Sequence, residues 1–166
     1  SDISLPVMPL ASVKMGVLGD IRGYCWVIIQ LVQKDFLIGL AENATYDLKK
    51  IKQKTDPYEW SISILEEMGN IISGTYLGAI NRFCRLNIPH TIPVLEKDLY
   101  GTLQSISLES MIKAHTDFKI ESVIFVQSEL VVMGITLKMY YMIFIGNGFV
   151  KKLIKAMDSA RRIMEF

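Results

Sequence analysis

Two polar side chains, Glu67 and Asn70, stand three residues apart in a stretch that reads as one long helix. That spacing makes them neighbours on a single helix surface. A carboxylate brings negative charge and acceptors; an amide brings both donors and an acceptor. At roughly 100° per residue the pair falls on a stripe of Ser63, Glu67, Asn70, Gly74, Gly78 and Asn81, polar or small throughout. Gly74 and Gly78 each cost a helix about 1 kcal/mol against alanine. Two such residues on one face suggest that something approaches the backbone there. The stripe has two readings. It is a solvated face whose small residues let a neighbouring helix or sheet pack tightly, or it is a surface shaped for a partner.

The helix that positions the stripe is well marked. Asp56 supplies an N-cap, Pro57 stands at the first helical position and Glu59 completes a capping box. The pattern continues to about Leu86. Leu65, Ile72, Tyr76, Ala79 and Phe83 make the predicted core face, flanked by Met68 and Ile80. Upstream, Pro6 and Pro9 make Ile3 to Leu10 extended. Ala11 to Leu18 reads as a strand, Gly19 to Gly23 as a turn and Tyr24 to Val32 as a buried strand. Asp35 starts a short helix to Glu42, and Tyr46 to Thr55 is a lysine-rich solvated connector or helix face. Downstream, Leu86 to Leu95 is extended through Pro89 and Pro93, and Lys97 to His115 is an amphipathic helix. Phe118 to Leu130 and Ile135 to Ile145 form a hairpin around Met133-Gly134, and Phe149 to Ile163 is a closing helix.

Other candidates for chemistry are thinner. Gly146-Asn147-Gly148 lies between a strand and a helix, where phosphates bind, but lacks the other glycines and the lysine of a phosphate loop and reads as a turn. His90 and His115 stand alone and read as structural histidines. Met133, Met139 and Met142 read as core filler.

Composition narrows the function classes. The chain has 166 residues, about one domain on the usual length prior. It is 51% hydrophobic and 21% charged, which excludes intrinsic disorder. The mean hydropathy is +0.31, yet the apolar runs Leu130 to Gly146 and Tyr24 to Leu40 are interrupted by charged or amide residues, so no membrane span is expected. A formal net charge of +1 argues against nucleic acid. The two cysteines and two histidines have no zinc-finger spacing. Cys25 and Cys84 read as buried free thiols of a reducing compartment, so a cytoplasmic location is expected.

The chain also contains a weak internal repeat. Ile3 to Leu10 resembles Asn87 to Val94, and Tyr24 to Val32 followed by Phe36, Leu37 and Leu40 resembles Leu137 to Ile145 followed by Phe149, Val150 and Leu153. In the second half the long helix precedes the proline segment. Its counterpart in the first half would fall before residue 1, so residues 1–166 are expected to be a single domain lacking the first helix of its N-terminal half.

With the stripe, the downstream proline segment and Gly69 in view, residues Leu65 to Asn81 resemble the Glu-x-x-Asn signature helix of the CheC/CheX/FliY family of chemotaxis phosphatases. The Ile-x-Leu-Pro and Gly-Asp-Ile-x-Gly segments of the first half fit the same pattern, and the second half is most similar to CheC. The resemblance implies an α+β fold: a pseudo-two-fold, mainly antiparallel sheet with two long helices packed on one face. It also implies hydrolysis of the aspartyl phosphate of a CheY-type response regulator. In that role Asn70 would orient the attacking water and Glu67 would pair with a lysine of the regulator. Ser63, Gly74, Gly78 and Asn81 are the expected partner-binding residues. The chain itself would bind no cofactor, with Mg²⁺ held by the regulator. Relatives of the family typically carry two such sites; here only the second is present. Competing expectations are a module that binds phosphorylated CheY without hydrolysis, as FliM-type switch proteins do, an adaptor for CheD, and a homodimer formed through an apolar face.

Overall fold

The computed structural model describes residues 10–30, 33–44, 56–95 and 119–164. In chain order the elements are β1 (Leu10–Val17), β2 (Gly23–Gln30), α1 (Lys34–Ala44), α2 (Pro57–Cys84), β3 (Val94–Leu95), β4 (Ile120–Val132), β5 (Ile135–Gly146) and α3 (Val150–Met164). The expected extended segment before Leu10, the lysine-rich connector and the helix over Lys97 to His115 lie outside the described residues.

The strands form one five-stranded sheet in the order β3-β1-β2-β5-β4, and every pairing is antiparallel. Two hairpins carry it. In the first, Leu10 faces Gln30 and Val17 faces Gly23. In the second, the turn residues Met133 and Gly134 both have positive φ, 52° and 78°, the type I′ geometry that matches strand twist. The hairpins meet along β2 and β5, from Gly23 opposite Ile145 to Ile29 opposite Met139. Each of these central strands is followed by a helix, α1 or α3. This is the pseudo-two-fold pattern implied by the repeat.

Central position explains composition. One face of the sheet, with Val13, Met15, Cys25, Val27, Tyr141 and Ile143, packs under Leu37 of α1, Leu65 and Leu77 of α2 and Leu153 of α3. The opposite face is buried as well, around Trp26, Ile28, Met142 and Phe144. Trp26 and Phe144 meet edge to face at 4.5 Å. Strands covered on both sides need apolar residues at successive positions, which is why β2 and β5 read as continuous apolar runs rather than alternating ones.

Helix α2 is 28 residues long and its N-cap is the expected Asp56, whose carboxylate accepts from the Tyr58 and Glu59 backbone N–H groups. It ends at Cys84, where Arg85 turns left-handed at φ 54°. Its buried residues are Trp60, Ile64, Leu65, Gly69, Ser73, Leu77 and Cys84. The predicted core face is therefore corrected: Ala79 is exposed and Phe83 is 40% exposed. The contact stripe is rotated toward the small residues. Gly69 lies against Val13, where a Cβ would come within 2.5 Å of the valine Cγ1. The Ser73 hydroxyl sits 3.7 Å from the Cys25 thiol, which donates to it. Periodicity weighted by hydrophobicity places the large residues inward, but a helix crossing tightly over a sheet puts its smallest residues at the closest approach.

Candidate functional site

With Gly69 and Ser73 against the sheet, the opposite side of α2 turns outward. Ser63, Glu67 and Gly74 are exposed and Asn70, Gly78 and Asn81 are half-buried. The Asn70 amide Nδ2 lies 3.5 Å from Glu67 Oε2, at the outer limit of a hydrogen bond. The two side chains are thus neighbours without being locked together, and among the described residues the Glu67 carboxylate has no ion-pair partner.

The extended segment after α2 supplies the second wall. It runs along the free edge of β1, bridging Val17 to His90 and pairing Lys14 with Val94 and Val13 with Leu95. Thr91 fixes it twice: its N–H donates to the Gly16 carbonyl at 2.9 Å and its Oγ1 accepts from the Gly16 N–H at 2.8 Å. Glu66 ties this wall to the helix, its Oε1 accepting from the Leu95 N–H at 3.0 Å. Adjacent glutamates therefore do different work, because a 100° step separates them: Glu66 is turned to the β1 edge and Glu67 to solvent.

Between the walls lies a groove of about 440 Å³ lined by Ser63, Glu66, Glu67, Asn70, His90, Thr91, Ile92 and Pro93. The structure thus brings together Ser63, Glu67 and Asn70 of the expected site. Gly74 adjoins it: a Cβ there would lie 3.7 Å from His90 Nε2, an ordinary contact. The other two do not line the groove. Gly78 is further along α2, near Arg82. The Asn81 Oδ1 accepts from the Ile88 N–H at 3.0 Å, while its backbone carbonyl accepts from Leu86 N–H at 3.2 Å. Asn81 closes the helix end and steers the chain toward Pro89.

Sequence reasoning missed the second wall. His90, expected as a structural histidine, holds its Nδ1 2.9 Å from the Thr91 carbonyl while its ring lines the groove. The only signal was the proline spacing, which marks an extended segment but not where it lies. The close approach inside the fold is at Gly69, whereas Gly74 and Gly78, where it was expected, are open.

A second concavity, about 350 Å³, lies between α2, the second hairpin and α3. It is lined by apolar and aromatic side chains such as Phe83, Ile124, Val126 and Met157, and offers no comparable polar pair. Among the described residues no three His, Cys, Asp or Glu stand together as a metal cluster, and no helix is long and apolar enough to cross a membrane.

No family model matches the chain. Over 99 residues it is 28% identical to the CheY-P phosphatase CheC of Bacillus subtilis (strain 168), a match that covers 59% of this chain and 46% of that protein. The chain thus spans less than half the length of this curated relative. Among solved structures it resembles Thermotoga maritima FliY, with a TM-score of 0.60 at 16% identity over 91% of this chain and 71% of that one. A CheX-CheY-BeF3-Mg²⁺ complex from Borrelia burgdorferi aligns with a TM-score of 0.49 at 15% identity, covering 86% of each chain.

Proposed function

We propose that this chain is a member of the CheC/CheX/FliY family, as its 28% identity to a CheC over 99 residues supports, and that it accelerates hydrolysis of the aspartyl phosphate of a CheY-type receiver domain. The observation that carries the reading is the outward-facing Glu67–Asn70 pair in a groove on a helix that is clamped to the sheet. Aspartyl phosphate is hydrolysed by in-line attack of water, and catalysis of phosphoryl transfer is mainly positioning and charge stabilisation. An amide suits the first task, since it can donate to one oxygen and accept from a water. Asn70 is therefore assigned to the attacking water. The exposed Glu67 carboxylate is assigned to a cationic side chain of the receiver, which fixes the register in which Asn70 enters. The Mg²⁺ that neutralises phosphoryl charge belongs to the receiver.

The rigidity of α2 matters to this role. A water must be held close to its line of attack, and small misplacements are costly in rate. The tight Gly69 contact with Val13 and the Glu66–Leu95 clamp hold the helix against the sheet within about one turn of Asn70, and the Asp56 cap closes its N-terminus.

The test is steady-state phosphate release from a phosphorylated receiver. Asn70→Ala should lower kcat roughly 100-fold, the order of a lost positioning contact, with little change in KM. Glu67→Ala should instead raise KM about tenfold, the size of one charge-assisted contact, and that KM should rise with salt for the wild type. Failure of the wild-type chain to accelerate release overturns the reading. Binding of the phosphorylated receiver without turnover would assign the chain to the non-hydrolytic binding modules instead.

A further inference from the structure

We infer that the extended segment His90 to Pro93 is part of the docking surface for the receiver, with Ile92 and Ile71 as its two apolar anchors. This rests on the phosphatase reading above and goes beyond it, because neither residue belongs to the Glu-x-x-Asn stripe.

Ile92 is 83% exposed and Ile71 59% exposed. Single exposed apolar residues are common on protein surfaces and need no explanation. These two differ in placement. Ile71 follows Glu67 by one helical turn, so it borders the carboxylate on the surface of α2. Ile92 lines the groove from the other wall. Glu67 and Asn70 therefore stand between two exposed isoleucines.

Ile92 is also held rigidly. Its neighbour Thr91 makes both backbone and side-chain bonds to Gly16. The Leu18 N–H donates to the Pro89 carbonyl at 2.9 Å, and Leu95 is tied to Glu66. Pro89 and Pro93 restrict the backbone on either side. An apolar side chain on a backbone already fixed loses little freedom when a partner covers it, which is what an interface anchor requires.

The groove is open, with polar side chains on its helical wall and Ile92 and Pro93 on the other, so it suits a convex, folded partner that brings charged groups to Glu67 and Asn70 and apolar surface to Ile92. A receiver domain that offers a cationic side chain to Glu67 and its phosphorylated carboxylate to Asn70 meets that description. His90 helps set the wall: its ring stands over the place that Gly74 leaves without a side chain.

The experiment measures binding of a receiver carrying the stable phosphate mimic beryllofluoride. Ile92→Ala should weaken binding about tenfold and Ile92→Asp more. Ile71→Asp should act in the same direction. Val131→Asp, at a position 68% exposed on the opposite edge of the sheet, should bind as wild type does. Thermal unfolding of each variant reports whether the fold is kept. Wild-type affinity in both Ile92 variants, with turnover still dependent on Asn70, overturns this inference and leaves the phosphatase reading standing. Binding that is lost in Ile92→Asp while the wild type shows no turnover supports the docking surface and removes the phosphatase. No binding and no turnover by the wild type overturns both.

Discussion

Two glycines on one helix separate what folding requires from what a partner requires. A methyl group at Gly69 would meet Val13 Cγ1 at 2.5 Å and Val13 Cβ at 2.8 Å. Gly69→Ala should therefore destabilise the fold by about 1–3 kcal/mol, as overpacking does, read as a lower denaturation midpoint. At Gly74 the same methyl meets only His90 Nε2 at 3.7 Å. Gly74→Ala should raise stability by up to about 1 kcal/mol through helix propensity, while weakening affinity for the phosphorylated receiver. A stabilised variant with undiminished affinity would show that Gly74 is not kept open for a partner. The stripe itself was legible, because a 3.6-residue period sorts polar from apolar positions without any tertiary knowledge. Which glycine served packing was not, since Gly69 and Gly74 differ only in what lies opposite, and Val13 is more than fifty residues away in the chain.

Each element was readable where its signal is local. Asp56 and Pro57 announced the start of α2, and the structure shows the Asp56 carboxylate accepting from Tyr58 N–H at 2.9 Å and Glu59 N–H at 3.2 Å. Asp56→Ala should cost about 1 kcal/mol, measured by denaturant unfolding at unchanged slope. The helix end was less legible. It falls at Cys84 because Arg85 turns left-handed, a conformation that side chains usually avoid and that no glycine marks here. The proline segment was recognised as extended, but its place beside β1 depends on Glu66 reaching the Leu95 N–H and on Thr91 meeting Gly16. Such contacts between distant residues leave no period in a sequence. The groove was therefore half visible: the wall on α2 from its pattern, the wall from His90 to Pro93 only from the fold.

For the whole molecule, the repeat was the most informative signal, since it matched the strand and following helix of one half with those of the other; that these two strands pair at the centre of one sheet shows only in the fold. Asp20 ties those halves together. Its carboxylate accepts from Lys152 Nζ of α3 at 2.7 Å and from the Asn87 N–H at 2.8 Å. The Lys152 bond, then the Asn87 bond, hold the Asp20 carboxyl below its ordinary value of 3.8. A carboxyl depressed in the folded state stabilises above its unfolded pKa and loses that contribution as pH falls through the folded one. Wild type should thus exceed Asp20→Asn in thermal midpoint at neutral pH, and the difference should shrink as pH drops below about 4. Because the pair is solvent-exposed, the effect should also fade with salt. These contacts hold the sheet, α2 and the proline segment in one frame, and in the proposed reaction that frame presents Asn70 to a phosphorylated receiver. The most direct test is the first-order decay of the phosphorylated receiver at saturating protein. Wild type should accelerate the decay; with Asn70→Ala the decay should be roughly 100-fold slower, although the variant still binds the receiver. Identical decay for wild type and Asn70→Ala would contradict the proposed reaction.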